Sequence, residues 1–243
     1  MLCGCAGKNG NLRSSVFNEP IKESQVIRLS VKSDYMGRKM PCMVYLPKSY
    51  GGGKEYPVWY GLNGYSSNEN MWIENGGVAD DGKIGERNMD QFVCKELVPY
   101  IDSHYHTVKS ADGRYIGGFS MGGMIALRIA FHHTDMFSKV GGYSAAVISS
   151  DYSGRQLEEW LFPNDNVDGV ADIADFDKEK GLDKLNVFLD AGNSNDPFSV
   201  GLQSLYDALQ KRGITSEFHL YDGGHTLRVS GVRGYLKFYA AKE

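Results

Sequence analysis

The chain has 243 residues, of which 42% are hydrophobic and 23% are charged, and its formal net charge is −4. This balance excludes a disordered chain and leaves enough apolar material for a sizeable core. It also excludes the basic surface that nucleic-acid binding requires. The length suits one domain, which we expect over residues 21–243 after a flexible leader at 1–20.

The first residues contain a short string that resembles a targeting signal. The string "LCGC" ends at Cys5 and resembles the lipobox of bacterial lipoproteins, whose last cysteine carries the lipid. The basic and apolar regions that precede such a box are missing from this sequence. We expect contact with a membrane only through a lipid on Cys5, in a secreted or cell-envelope protein. If Met1 is the true start, the expectation is a cytoplasmic protein.

Hydrophobic periodicity predicts the elements in chain order. Two alternating runs, 26–33 and 39–47, predict an antiparallel strand pair with its turn at Gly37. Buried strands then alternate with amphipathic helices, which predicts an α/β fold with a mainly parallel sheet covered by helices on both faces. The predicted strands lie at 56–62, 114–119, 139–147, 185–192 and 216–222, and the predicted helices at 89–105 (with a bend at Pro99), 121–133, 197–213 and 231–241.

The segment 148–182 fits this rhythm poorly. It is acidic and without clear periodicity, so we predict an irregular insertion. One interpretation is a solvated excursion on the surface. The other is a lid over a site, with the rings of Trp160 and Phe162 facing a substrate.

The string "GFSMG" places Ser120 between glycines where a strand ends and a helix begins. This is the setting of a nucleophile elbow, a sharp turn that projects the serine hydroxyl from the edge of the sheet. Small neighbours keep strand and helix from colliding, and the helix N-terminus adds partial positive charge. We therefore predict that Ser120 is a nucleophile.

A serine needs a base, and the base needs an orienting carboxylate. His225, in a loop between the last strand and the last helix, is the predicted base, and Asp196, in the loop after an earlier strand, is the predicted acid. Asp190 is set aside because it lies inside an apolar run, and Asp222 is a second choice. The order serine, aspartate, histidine is that of the α/β hydrolases.

An oxyanion hole should complete such a site. The N–H of Met121, directly after the nucleophile, is one predicted donor. The N–H of Tyr65, after Gly64 in an earlier strand-end loop, is the second. We predict no metal site, because the His104-x-His106 pair has no third ligand near it in the sequence.

With these pieces placed, the chain resembles the esterase D / feruloyl esterase-like family of α/β hydrolases from about Met40 onward. The motifs that carry the resemblance are "GFSMGG", "PVWYGLNG", "DMFSKVGGYSAA", "GNSNDPF" and "GGHT". It implies the same three catalytic residues and no cofactor. Two departures stand out: Asn63 replaces a common histidine before the oxyanion glycine, and no tryptophan follows His225.

The predicted activity is hydrolysis of acetyl, feruloyl or other short-chain esters, small or carbohydrate-linked. Substrate-binding candidates are Asn63, Trp72 and Trp160, each of which also has a structural interpretation. Two alternatives stay open, namely an acyltransferase of the mycolyltransferase type and an inactive binding domain on the same fold. The sequence sets no oligomeric state.

Overall fold

The protein is described here by a computed structural model, which covers residues 2–3, 19–65, 67, 86–163, 165–227 and 229–241. Its strands join in one sheet with the order β2-β3-β1-β4-β5-β6-β7-β8. The strands are β1 Leu2–Cys3, β2 Gln25–Ser33, β3 Arg38–Leu46, β4 Val58–Leu62, β5 Arg114–Phe119, β6 Lys139–Tyr143, β7 Asn186–Gly192 and β8 Ser216–Tyr221.

Strand directions confirm the predicted fold class. From β4 to β8 every neighbouring pair is parallel. At the other edge β2 and β3 run antiparallel, from Gln25 opposite Leu46 to Ser33 opposite Arg38, and Gly37 turns between them with a φ of 63°. Leu2 and Cys3 pair between β3 and β4; the rest of the predicted leader, apart from residues 19–20, lies outside the described residues.

The helices occupy the connections between the parallel strands. The predicted helix 89–105 contains a π-helical turn, Phe92–Leu97, shortly before Pro99, which cannot donate a backbone hydrogen bond. The bend at Pro99 stays a prediction. Among the described residues no helix combines the length and the apolar character that a bilayer crossing needs. The helices are α1 Glu86–Gln91, α2 Val98–His104, α3 Met121–His132, α4 Gln156–Leu161, α5 Ile173–Lys180, α6 Ser199–Lys211 and α7 Val229–Ala240.

The central strands bury side chains on both faces of the sheet, and successive side chains of a strand point to opposite faces. In β4, Tyr60 packs in the larger hydrophobic cluster, whereas Trp59 packs in a smaller one. In β7, Leu189 packs in the larger cluster and Phe188 in the smaller one. The continuous apolar runs of these strands therefore reflect two-sided burial.

Helix α7 covers the smaller cluster with tyrosines. The Tyr143 hydroxyl donates to the Tyr239 hydroxyl at 2.6 Å, which in turn donates to the Ile116 carbonyl at 2.9 Å. A Cβ atom on Gly117 or Gly141 would lie 2.4 Å from the Tyr239 oxygen. These two strand glycines therefore make room for a buried polar pair under the sheet.

The segment 148–182 is more ordered than its sequence predicted. It contains α4 and α5, and its apolar side chains join the main core; Leu157, Leu161 and Phe176 are all buried there. The predicted irregularity is thus wrong for these two short helices. Their apolar contacts are with the core, which favours a packed insertion over a loose surface excursion.

A buried ion cluster fastens this insertion to the end of α6. The Arg212 guanidinium lies 2.8 Å from Glu158 of α4 and donates through Nε to Asp177 of α5 at 2.9 Å. The three side chains are between 0% and 10% exposed. Because each charge has left water, each depends on the others for compensation.

We predict that Arg212→Ala lowers the free energy of unfolding by about 3–5 kcal/mol, since it leaves two buried carboxylates without their cation. Urea unfolding measures the change. As a control, Lys32→Ala removes an ion pair whose side chains are 77% and 81% exposed, and it should leave the midpoint unchanged. Equal midpoints for both variants would contradict the buried cluster's role.

Candidate active site

Ser120 occupies a strained turn between β5 and α3. Its backbone has φ 55° and ψ −120°, outside the helical and strand regions. Hydrogen bonds hold this conformation: Ser120 N donates to Tyr143 O at 2.9 Å, and Ser120 O accepts from the N–H groups of Met124 and Ala146. The turn is possible because Gly118 and Gly122 almost touch; a Cβ atom on Gly118 would lie 2.4 Å from the carbonyl oxygen of Gly122.

The predicted base meets the predicted nucleophile. His225 Nε2 lies 2.9 Å from Ser120 Oγ, within hydrogen-bond distance. Two phenylalanines fix the imidazole plane: Phe119 stacks on it with a centroid distance of 4.8 Å, and Phe198 meets it edge-on at 5.1 Å. The imidazole side chain stays 26% exposed, so a substrate can reach it.

The predicted acid lies behind the imidazole. Asp196 Oδ1 is 3.3 Å from His225 Nδ1, an ion-pair distance whose angle does not meet hydrogen-bond geometry. Burial acts to raise the pKa of Asp196, but hydrogen bonds from Gly192 N, Ser144 Oγ and Phe198 N, together with the nearby His225, lower it below its ordinary value. The carboxylate is therefore charged near neutral pH.

The loops that carry Asp196 and His225 are bound to each other. The Asn193 amide donates to Asp222 at 2.8 Å, and its carbonyl oxygen accepts from Gly223 N at 3.1 Å. Asp222, the second choice for the acid, is thus exposed and engaged with Asn193. Its contact sets the spacing of the two loops.

The loop after β4 approaches Ser120 from the other side. A Cβ atom on Gly64 would lie 3.5 Å from the Ser120 Cβ, so this backbone lies directly beside the nucleophile. The Asn63 amide donates to Gly64 O at 3.1 Å and to Ser67 O at 2.9 Å, which anchors the loop that presents Tyr65. Met121 is the first residue of α3, whose first turn lies against the same loop at Gly122. The oxyanion roles of Tyr65 and Met121 stay predictions.

Of the remaining predicted site residues, the structure describes Trp160. Trp160 lies in α4, half-buried against the core, and its ring meets Tyr152 edge-on at 5.8 Å. This supports the structural interpretation of Trp160 over a contact with substrate. Trp72 and Cys5 lie outside the described residues.

Sequence reasoning missed Ser144. Its buried hydroxyl donates to Asp196 Oδ2 at 2.7 Å, while its N–H donates to Asp190 Oδ1 at 2.9 Å. Its φ is +41°, unusual for a residue with a side chain. The "GYSA" string contains no signal for this conformation, because contacts with two carboxylates from a different strand and loop hold it.

The pKa of Asp190 is shifted in the opposite direction from that of Asp196. It is 2% exposed, and its Oδ2 atom has no hydrogen-bond partner in the described part of the chain. Burial raises its pKa to about 6, against lowering by hydrogen bonds from Tyr235 and from Ser144 N. The Asp190 carboxyl therefore holds its proton more tightly in the folded chain than in the unfolded chain, where its pKa is near 3.8.

This difference predicts a pH dependence of stability. Below about pH 4, Asp190 is protonated in both states. Between about pH 4 and pH 6 the unfolded chain ionises while the folded chain keeps its proton, so stability falls over this range and levels off above it. Relative to Asp190→Asn, the wild type should lose on the order of 3 kcal/mol between about pH 4 and pH 8. Urea unfolding at both pH values measures this, and a difference that does not change with pH would contradict it.

Known proteins share this architecture. A ferulic acid esterase superimposes with a TM-score of 0.71 and 22% identity over 89% of this chain and 97% of its own. The ferulic acid esterase of Anaeromyces mucronatus gives 0.68 and 16% identity over 97% and 98%. At such identities the likeness concerns the fold.

Sequence comparison agrees with this likeness. An esterase of Mycobacterium tuberculosis is 24% identical over 78% of this chain, but the match covers 53% of that protein, so the chain spans about half the length of this relative. An endo-1,4-beta-xylanase/feruloyl esterase of Xylanibacter ruminicola is 25% identical over 59% of this chain and 24% of its own. The family model described as "Putative esterase" matches residues 33–86 and 79–229. Since these ranges take in most of the chain, the protein belongs to the putative esterase family.

Proposed function

We propose that the protein hydrolyses carboxylic esters through Ser120, His225 and Asp196. The observation that carries the proposal is the 2.9 Å contact between His225 Nε2 and Ser120 Oγ at a strained strand-to-helix turn. A serine hydroxyl is a weak nucleophile until a base accepts its proton, and this contact supplies the base. Membership of the putative esterase family supports the same reaction class.

In the first half of the proposed reaction, Ser120 Oγ bonds to the ester carbonyl carbon as its proton passes to His225 Nε2. The carbonyl oxygen becomes an oxyanion, which the N–H groups of Met121 and Tyr65 stabilise. Met121 lies at the first turn of α3, where the helix dipole is also positive. The imidazolium then gives its proton to the leaving alcohol, and an acyl-enzyme remains.

In the second half, water loses a proton to His225 and attacks the acyl carbon, which releases the acid and restores Ser120. Asp196 stays charged throughout and stabilises the imidazolium that forms in each half. Its Oδ2 accepts hydrogen bonds from Ser144 and Gly192, and its Oδ1, which also accepts from Phe198 N, faces His225 Nδ1.

For the substrate we propose an acetyl, feruloyl or other short-chain ester, small or attached to a carbohydrate. Apolar rings flank the base, since Phe119 and Phe198 both contact His225. The side chain of Tyr65, which follows Gly64 at the nucleophile, is 65% exposed. Related structures hold ferulic acid in one case and sinapinate in another, which supports an aromatic acyl group as the proposal for this protein.

The first test is Ser120→Ala on acetyl, butyryl and feruloyl esters. We expect the wild type to turn over at least one of them and the substitution to lower kcat by about 10⁵-fold or more, because no other group replaces the nucleophile. A fluorophosphonate should label the wild type at Ser120 alone.

Equal rates from both proteins would overturn the assignment of Ser120. Adding an alcohol acceptor separates hydrolysis from transfer: an acylated acceptor formed in preference to free acid would favour the acyltransferase alternative. Failure of the wild type to react with any ester or with the fluorophosphonate would favour an inactive binding domain.

The second test concerns Ser144 as a positioning residue. Ser144→Ala removes a hydrogen bond to a charged carboxylate, which is worth about 1.5–3 kcal/mol, so kcat should fall by about 10–100-fold. KM should stay unchanged because the hydroxyl is buried and contacts Asp196 alone among the triad. Ester kinetics measure both constants.

The matched control is Ser138→Ala. Ser138 Oγ donates to the Ala111 carbonyl at 2.9 Å, just before β6, whereas Ser144 follows that strand. Both variants lose one serine hydrogen bond, but only Ser144 touches the triad. A loss of kcat equal in the two variants would mean that the effect is general destabilisation.

A further inference from the structure

Three side chains with metal-binding chemistry meet at the end of α3 opposite Ser120. They are Asp90 of α1, Cys94 of the π-helical turn and His133, which follows the last residue of α3. One carboxylate oxygen, the thiol sulfur and one ring nitrogen all lie within 4.8 Å of one another. Ser120 caps the other end of this twelve-residue helix, so the cluster is about 18 Å from the proposed nucleophile.

The local structure explains why these atoms converge. Asp90 and Cys94 are four residues apart, which places them on one face of the helical stretch. His133 comes from a distant part of the chain and approaches this face, with its Nε2 atom 2.7 Å from Asp90 Oδ1. Two ligands on one helix and a third from another element form a common arrangement for a zinc site.

The chemical type of the three ligands points to zinc rather than to calcium or magnesium. Thiolate sulfur, imidazole nitrogen and carboxylate oxygen all bind Zn²⁺, at about 2.0–2.3 Å. Hard cations instead require a shell of oxygens, which one carboxylate cannot provide. A thiolate and a carboxylate also balance the two positive charges of the ion.

The exposure of the three side chains favours a site with its sulfur ligand in the interior and its other two ligands at the surface. Cys94 is 6% exposed, whereas the side chains of Asp90 and His133 are 23% and 26% exposed. An ion can therefore enter from the carboxylate and imidazole side and rest against the buried sulfur. Three protein ligands leave a fourth position for water, and the exposed Asp135 lies two residues from His133.

We infer that Asp90, Cys94 and His133 bind a zinc ion that joins the α1 stretch to the C-terminal end of α3. The ion lies a full helix length from the proposed ester site, so its expected effect is on the stability of the fold. It replaces the direct Asp90–His133 ion pair by two bonds to one metal and adds a third bond to the sulfur. This inference does not depend on the proposed function.

The test uses Co²⁺ as the probe on the full chain under reducing, oxygen-free conditions. A cobalt–thiolate bond gives an intense near-ultraviolet charge-transfer band, which we expect in the wild type to saturate and to disappear when Zn²⁺ is added. Cys94→Ser should remove the part of this charge-transfer band that comes from the bond between cobalt and Cys94. His133→Gln should weaken cobalt binding at least 10-fold.

The chain offers a matched control in Cys42, the other buried free cysteine among the described residues. Cys42→Ser should keep the band, and Cys3 and Cys5 are common to every variant. Circular dichroism checks that each variant is folded. As a second readout, Zn²⁺ should raise the melting temperature of wild type and Cys42→Ser but not of His133→Gln, in which every cysteine remains.

Three results would overturn the inference: no cobalt band in the wild type, a band that persists undiminished in Cys94→Ser, or an equal zinc-dependent rise in melting temperature for His133→Gln. The first would leave an Asp–His ion pair beside a buried thiol. The second would assign the metal to other cysteines.

Discussion

The close approach of β5 to the first turn of α3 is the constraint on which the site depends. At Gly118 and Gly122 the two backbones leave no room for a Cβ atom, and a Cβ atom on Gly122 would also lie 2.4 Å from the Asn63 carbonyl oxygen. This contact turns the chain sharply and holds Ser120 at a positive φ. The parallel sheet then brings the loops after β6, β7 and β8 to the same edge, where Ser144, Asp196 and His225 follow.

Asp190 and Asp196, six residues apart, show how burial and hydrogen bonds shift the pKa of a carboxyl group. Asp196 receives three donors besides the imidazole, and its pKa lies below the ordinary range. Asp190 has one oxygen without a partner among the described residues, and its pKa is raised to about 6. Ser144 touches both, with its hydroxyl on one and its N–H on the other. The deeper burial of Asp190 and the additional donors around Asp196 together separate the two pKa values.

Most of the fold and the three central residues of the site could be predicted from the sequence. The strands β4 to β8 are short apolar runs bounded by turn residues, and the glycines around Ser120 mark a specific backbone geometry. The Asn193–Asp222 contact and the conformation of Ser144 could not be predicted, because both arise from tertiary contacts between loops. The helices α4 and α5 were missed for a related reason: they are short and acidic, and their stability comes from core packing and from Arg212, far away in the sequence.

The position of Arg212 bears on how the insertion can be exchanged between related proteins. Besides its apolar contacts with the core, the segment 148–182 is joined to the end of α6 through Glu158 and Asp177, whose buried charges depend on the Arg212 cation. The other end of that helix follows Asp196. A chimera that replaces 148–182 by a foreign segment must therefore supply carboxylates that can pair with Arg212. Otherwise the Arg212 guanidinium is left buried without a counter-charge. The transferable unit is discontinuous along the chain.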